Sequence, residues 1–237
     1  MRLLLISDIH ANPWALEAVA NDAGLVDYVL CAGDVVTYGP CPSACIAWLQ
    51  HKHAIVVRGN HDQAAAFGTH PHAAPEKATL ALAMRDWTRN TLTRSDLHWL
   101  CHLPIRLIWE GEETSVEVLH ATPIDPLYDY RLRPDIPWDQ FSALMYANHG
   151  ADVLLVGHTH LALQRTFVKT LVVNPGSVGQ PLDGDPRASY AIWENGVVSI
   201  HRVDYDREPI IKDLSALPLA KDIVGHLIST LETGRIS

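Results

Sequence analysis

The chain has 237 residues, 48% of them hydrophobic, with 27 acidic against 18 basic side chains and a formal net charge of -9. That is enough to bury one sizeable core, so residues 1–237 are read as a single domain. The negative field excludes broad binding to nucleic acid or to anionic membranes, while a small phosphate-bearing molecule stays compatible if bound cations reverse the sign locally.

Met1-Arg2 leads straight into an apolar strand, Leu3-Leu4-Leu5-Ile6, rather than into a signal peptide, and no apolar stretch is long enough to span a membrane. The expectation is a soluble, cytoplasmic protein. Asn12 then caps a helix that has Pro13 in its first turn and Trp14, Leu16 and Val19 along one side. Residues 28–31 form a second strand, followed by the loop Gly33 to Pro40 and a short helix from Ser43 to Gln50. Ala54-Ile55-Val56-Val57 is a third strand, ending at Arg58-Gly59-Asn60-His61-Asp62. This rhythm predicts a parallel sheet with right-handed crossovers.

The segment His70 to Pro75 breaks the pattern, and Glu76 to Thr91 reads as an amphipathic helix with Leu80, Met84 and Trp87 inward. A short helix at Ser95–Cys101 is stopped by Pro104, and residues 105–110 and 114–120 make a hairpin. Residues 121–137 hold four prolines and no period, which marks a long loop of the kind that is either functional or disordered. Tyr128 and Tyr130 within it could stack on a base. Trp138 to His149 is helical, and a strand then ends at His158. Segments 163–168, 170–174, 188–194 and 197–203 read as successive antiparallel strands with Asn195-Gly196 as a tight turn, before a last helix from Leu219 to Leu231.

Five apolar strands therefore each deliver Asp, His or Asn at one end, where ligands bind in open α/β sheets. Asp8, His10, Asp34, Asn60, His120, His158 and His160 are the candidate ligands. One transition-metal ion with an open position takes about three protein ligands, so this set suits two ions. A carboxylate such as Asp34 can bridge them, and ions about 3.5–4 Å apart hold a water between them as hydroxide. Imidazole, carboxylate and amide together favour manganese, with iron, zinc, nickel or cobalt as alternatives, over magnesium or calcium. Cys31, Cys41, Cys45 and Cys101 lack a matching second motif and are read as reduced thiols. His98 and His102 share a helix face without a neighbouring carboxylate, which makes them a solvated pair.

The blocks Asp8-Ile9-His10, Gly33-Asp34, Gly59-Asn60-His61-Asp62, His120 and Gly157-His158-Thr159-His160 together resemble the calcineurin-like metallophosphoesterase superfamily. Asn174 to Gln180, and Asp183 to Arg187 after it, are similar to its compact bacterial and archaeal branch. The resemblance implies an α/β fold, a four-layer αββα sandwich of two mixed β-sheets flanked by helices. It implies that Asp8, His10, Asp34 and His160 hold one ion while Asp34, Asn60, His120 and His158 hold the other. His61 is then the catalytic residue, contacting the phosphate and assisting the leaving group. The implied activity is hydrolysis of phosphate mono- or diesters, nucleotides and dinucleoside polyphosphates among them, by attack of the metal-bridged hydroxide on phosphorus. Val36 to Pro40 departs from the Asp-Arg-Gly ending of the protein phosphatases, which argues for a small phosphate ester instead. Asp62 either orients His61 or caps the following helix. The alternative reading is a non-catalytic scaffold of the same fold that binds protein, whose expected trace, a lost ligand or lost His61, is absent. Oligomeric state leaves no mark in the sequence.

Overall fold

The computed structural model describes residues 1–74 and 77–236. β1 (Arg2–Ile6) sets the plan through its period of two. Leu4 and Ile6 face one way, into a core shared with helices, while Leu3 and Leu5 face the other, into a core shared with a second sheet. A fully buried leucine contributes roughly 1.5–3 kcal/mol, so both faces of this strand resist a shift of register.

α1 (Pro13–Ala23) begins at Asn12, whose side chain accepts from the Ala15 N–H, and buries Leu16 and Val19. β2 (Tyr28–Cys31), α2 (Pro42–His51) and the two-residue β3 (Ile55–Val56) complete the crossovers, with β1, β2 and β3 parallel. α3 (Asn60–Phe67), α4 (Ala78–Thr91) and α5 (Arg94–His102) follow. In α4, Met84 is buried and Leu80 and Trp87 pack against the core. Glu76, where the sequence reading starts this helix, lies outside the described residues.

The second sheet is built from β4 (Arg106–Glu110), β5 (Ser115–Leu119), β6 (Val153–Leu155), β7 (Leu163–Phe167) and β8 (Thr170–Asn174), in the order β4-β5-β6-β8-β7. α6 (Trp138–Met145) covers its outer face through Phe141 and Leu144, and stops short of the predicted His149. β9 (Ala188–Glu194) and β10 (Val197–Val203) return to the first sheet, whose order is β10-β9-β1-β2-β3. Asn195 and Gly196 turn this hairpin at φ 51° and 80°.

The run of successive antiparallel strands is thus corrected. β7 with β8 and β9 with β10 are antiparallel pairs, but β8 lies parallel to β6 and β9 belongs to the other sheet. α7 (Glu208–Ser215), absent from the sequence reading, and α8 (Lys221–Thr233) pack Ile210, Leu214 and Leu227 onto the first sheet's outer core. The result is an αββα sandwich, two mixed five-stranded sheets flanked by helices. Val116, Val118, Val153 and Val173 meet Leu3, Leu5 and Leu30 between the sheets.

Candidate metal centre

Asp8 and His10 follow β1, Asp34 follows β2, Asn60 opens α3 after β3, His120 follows β5, and His158 and His160 follow β6. Both sheets send their strand ends to one edge, so the cluster lies in the seam between them. Every one of these side chains is buried, none more than 5% exposed. Five of them sit at positive φ: Asp8 at 53°, His10 at 46°, Asp34 at 52°, His158 at 70° and His160 at 59°. Such a conformation costs of order 1–3 kcal/mol per residue and persists only where the surroundings over-determine it.

Backbone bonds supply that constraint. The N–H of Asp8 donates to Gly33 O and that of His10 to Asp34 O, both at 3.0 Å, and Gly157 N–H donates to His120 O at 2.8 Å. The segment after β8 pins the first loop from above. Gly179 N–H and Ser177 Oγ both donate to Asp8 O, at 3.0 and 2.7 Å.

The side chains then form two adjoining groups of donor atoms, Asp8, His10 and His160 in one and Asp34, His120 and His158 in the other. His10 Nε2 lies 3.1 Å from His160 Nε2, while the Nδ1 atoms of these rings face the carbonyls of Val36 (3.2 Å) and Gln180 (2.5 Å). A ring that donates through Nδ1 presents a bare lone pair at Nε2, so two lone pairs face each other. Asp8 Oδ1 stands 3.5 Å from His160 Nε2, and Asp34 Oδ2 stands 3.8 Å from His10 Nε2.

The second group repeats the pattern. His120 Nδ1 faces Ala32 O at 2.7 Å, leaving Nε2 against Asn60 Oδ1 at 2.9 Å, Asp34 Oδ2 at 3.2 Å and His158 Nδ1 at 3.2 Å. Asn60 Nδ2 donates to Pro71 O at 2.7 Å, so Oδ1 is the atom aimed inward. Acceptors converging on acceptors in a buried site repel unless a cation or proton lies among them. The donor set of imidazole nitrogens, carboxylates and one amide oxygen fits transition-metal ions.

The charges agree. Burial pushes the Asp8 carboxyl up to about 7, with His120 opposing. Burial works downward on His120, but the Asp34 carboxylate beside it overrides this and holds it at about 9. Burial lowers His160 to about 3 and His61 to about 4, and takes His10 and His158 well down. At neutral pH these four rings are uncharged, the state in which imidazole binds metal.

His61 borders the same recess, 4.6 Å from the Tyr38 ring and 5.4 Å from that of His10, and its buried Nδ1 has no hydrogen-bond partner among the described residues. Its backbone N–H donates to Asp34 Oδ1 at 2.8 Å, leaving Oδ2 for the two groups. Asp62 serves the backbone: Oδ1 accepts from Val35 and Val36 N–H at 2.9 and 3.1 Å, and Oδ2 from Gly59 N–H at 3.0 Å. Of its two expected roles, capping is the one the structure shows.

Other sequence expectations divide. His98 and His102 are an exposed pair on α5. Tyr130 packs 3.8 Å from the His158 ring, and Tyr128 packs on His72 at 4.8 Å, so both rings already have protein neighbours. Lys77 and Gln180, which the sequence reading missed, also line or brace this recess. A single lysine beyond a proline-rich loop carries no spacing signal that would single it out.

Residues 1–195 match the calcineurin-like phosphoesterase superfamily domain, and the chain belongs to that family. A metallophosphoesterase from Sphaerobacter thermophilus has the same fold, with a TM-score of 0.81 and 33% identity over 99% of this chain and all of that one. The uncharacterized protein MJ0912 of Methanocaldococcus jannaschii is 31% identical, covering 86% of this chain and 88% of its own. The phosphodiesterase YfcE of Escherichia coli is 27% identical, covering 84% of this chain and 91% of its own. Among the described residues no helix is long and apolar enough to cross a membrane.

Proposed function

We propose that the chain is a binuclear-metal phosphoric ester hydrolase acting on small phosphate mono- or diesters, in the cytoplasm, with nucleotides and dinucleoside polyphosphates as candidate substrates. The observation that carries this reading is the buried approach of His10 Nε2 to His160 Nε2 and of His120 Nε2, Asn60 Oδ1 and Asp34 Oδ2 to one another, beside a His61 Nδ1 that has no hydrogen-bond partner among the described residues. Asp8, His10, Asp34 and His160 are the residues to hold one ion, and Asp34, Asn60, His120 and His158 the other, with manganese the expected metal. Two divalent cations bound there supply Lewis acidity to a phosphoryl group and acidify water. His61 donates through its imidazole to the phosphoryl or leaving oxygen, and a phosphate anion brought against it raises its proton affinity. Tyr38 holds the rings of His10 and His61, and Asp62 fixes the loop that carries Asp34. The phosphodiesterase name of the Escherichia coli relative supports the diester side of this reading.

The test is a panel of p-nitrophenyl phosphate, its bis ester and a dinucleoside polyphosphate, with manganese, nickel, cobalt and magnesium in turn. Turnover that His61→Ala lowers by about 10²–10⁴-fold, with metal content unchanged, is the expected result. A protein that binds its metals and turns over none of these esters overturns the proposal. The scaffold alternative has a lost ligand or a lost His61 as its expected trace, and the chain keeps all eight residues, which favours the hydrolase reading.

A further inference from the structure

The recess in front of the metal centre is not polar throughout. About 470 Å³ of space, open to solvent, is bounded by His61, His158 and His160 and also by the apolar side chains of Leu182 and Ile236. A volume of that order suits a small molecule. Leu182 and Ile236 come from segments far apart in sequence, and the fold pins those segments together. Leu182 follows Gln180, whose carbonyl faces His160 Nδ1 at 2.5 Å, so the backbone that braces a candidate ligand also places this leucine. The turn beyond it is held from two sides. Gly184 N–H donates to Gly234 O at 2.8 Å, while Arg202 donates to Asp185 O at 3.3 Å and pairs with Asp183. Gly234 ends α8 at φ 63°, with its N–H bonded to Thr230 O at 2.9 Å. It lies so close to the turn that a Cβ placed there would come within 2.9 Å of the Asp185 backbone. Ile236 follows two residues later, and it also borders a smaller cavity together with Leu80 and Leu227. Both of those leucines belong to the first sheet's outer core, so the apolar side of the recess is backed by packed structure. Ile236 lies beyond residues 1–195, the part of the chain that matches the family domain.

We propose that Leu182 and Ile236 are specificity-determining residues that receive the organic group of the ester, so that the site selects phosphate esters of apolar or aromatic alcohols over those with a small or strongly hydrated organic group. This rests on the phosphoester hydrolysis proposed above. A phosphoryl group is the same in every ester, so the metal end of the recess does not tell one alcohol from another. Discrimination falls to the surface that the organic group touches. An apolar wall gains from taking hydrocarbon out of water. It offers no hydrogen bonds to replace the water stripped from a sugar hydroxyl or a further phosphate. Arg133 also borders the recess, but it is exposed and paired with Asp135 at 3.8 Å, so solvent screens what it adds for a charged group.

The experiment compares metal-loaded wild type, Ile236→Ala and Leu182→Ala. Calorimetry measures binding of phenylphosphonate, methylphosphonate and 2-hydroxyethylphosphonate, whose carbon–phosphorus bonds resist hydrolysis, and metal per chain is measured in every sample. Wild type is expected to bind phenylphosphonate about tenfold or more tighter than the other two. Each variant is expected to lose about threefold to tenfold for phenylphosphonate, the range for a partly exposed apolar truncation, and almost nothing for the others. On p-nitrophenyl phosphate the same loss is expected in KM, with kcat nearly unchanged, because the contact is made equally before and during reaction. Ile236 is 41% exposed, so its truncation leaves the fold intact even if that of Leu182 does not. Equal wild-type affinity for the three phosphonates, equal losses on all of them, unchanged phenylphosphonate binding in Ile236→Ala, or loss of metal from that variant overturns the assignment. A wild type that holds its metals yet binds no phosphonate and turns over no p-nitrophenyl phosphate overturns the underlying hydrolase reading instead.

Discussion

The backbone N–H of His158 points at the Asp8 carboxylate, 3.2 Å from Oδ1 and 3.1 Å from Oδ2, across 150 residues of chain. A candidate ligand of one ion thus fixes the loop that carries a candidate ligand of the other. Asp8→Ala removes a ligand and leaves that buried N–H without its acceptor. Both ions are expected to weaken, the second by about 10–100-fold, the range for loss of an outer partner. Calorimetric titration with manganese reads both equivalents, and an unchanged second equivalent would contradict the coupling.

Metal affinity is expected to rise with pH. Asp8 is held at about 7 by burial, and His120 is held at about 9 by Asp34 against burial. Both must lose their protons before they can ligate, so each bound ion displaces protons in this range. Manganese titrations from below pH 7 to above pH 9, repeated in buffers of different ionisation enthalpy, measure the slope and the released protons. An affinity flat across this window would show that neither group titrates against the metal.

Gly59 has no room for a side chain. A Cβ placed there overlaps Asp34 Oδ1 and the Asp34 backbone nitrogen. Gly59→Ala is therefore expected to displace Asp34, destabilise the fold by about 1–3 kcal/mol as other overpacked sites do, and lower metal content below two equivalents. Thermal unfolding and elemental analysis of one sample check both effects.

Asp62→Ala leaves the N–H groups of Val35, Val36 and Gly59 without their acceptor. Each orphaned buried donor costs about 1–3 kcal/mol, so unfolding in urea is expected to move to markedly lower denaturant. Because Asp62 serves the backbone, a folded Asp62→Asn is expected to retain the shape of the wild-type pH–rate profile.

On the β4–β5 pair, Arg106 binds the fully buried Glu117, which also accepts from His149 N–H at 2.9 Å. Arg106→Ala strands that carboxylate. Breaking a buried pair costs roughly 3–5 kcal/mol, and the partial exposure of Arg106 places the expected loss at the lower end. Chemical denaturation measures it, with metal stoichiometry as the unchanged control.

The strands and the seven ligand candidates were legible because each ligand sits where an apolar run stops. β1, β2, β5 and β6 are short, largely apolar and followed within three residues by Asp or His, a pattern carried by residue type alone. The placement of β9 was not legible. A strand that follows β8 in sequence gives no sign that it crosses to the other sheet, since pairing with β1 is decided by the facing cores of Leu3, Ala191 and Trp193. α7 was missed because Glu208-Pro209 reads as a loop, although proline in a first helical turn is well tolerated. Asp62 could not be assigned because its partners, Val35 and Val36, lie 27 and 26 residues away.

The pairing of Leu3 with Trp193 carries a consequence for biosynthesis. β1 has β2 beside it early but waits for β9, about 180 residues later, before it gains its second neighbour, and Asp8 waits likewise for His158. A nascent chain stalled halfway holds an unfinished sheet edge and half a coordination sphere. Assembly of the centre therefore waits until His158, His160 and β9 have been made, and a chaperone shielding Leu3 to Ile6 until then would act on metal loading as much as on folding.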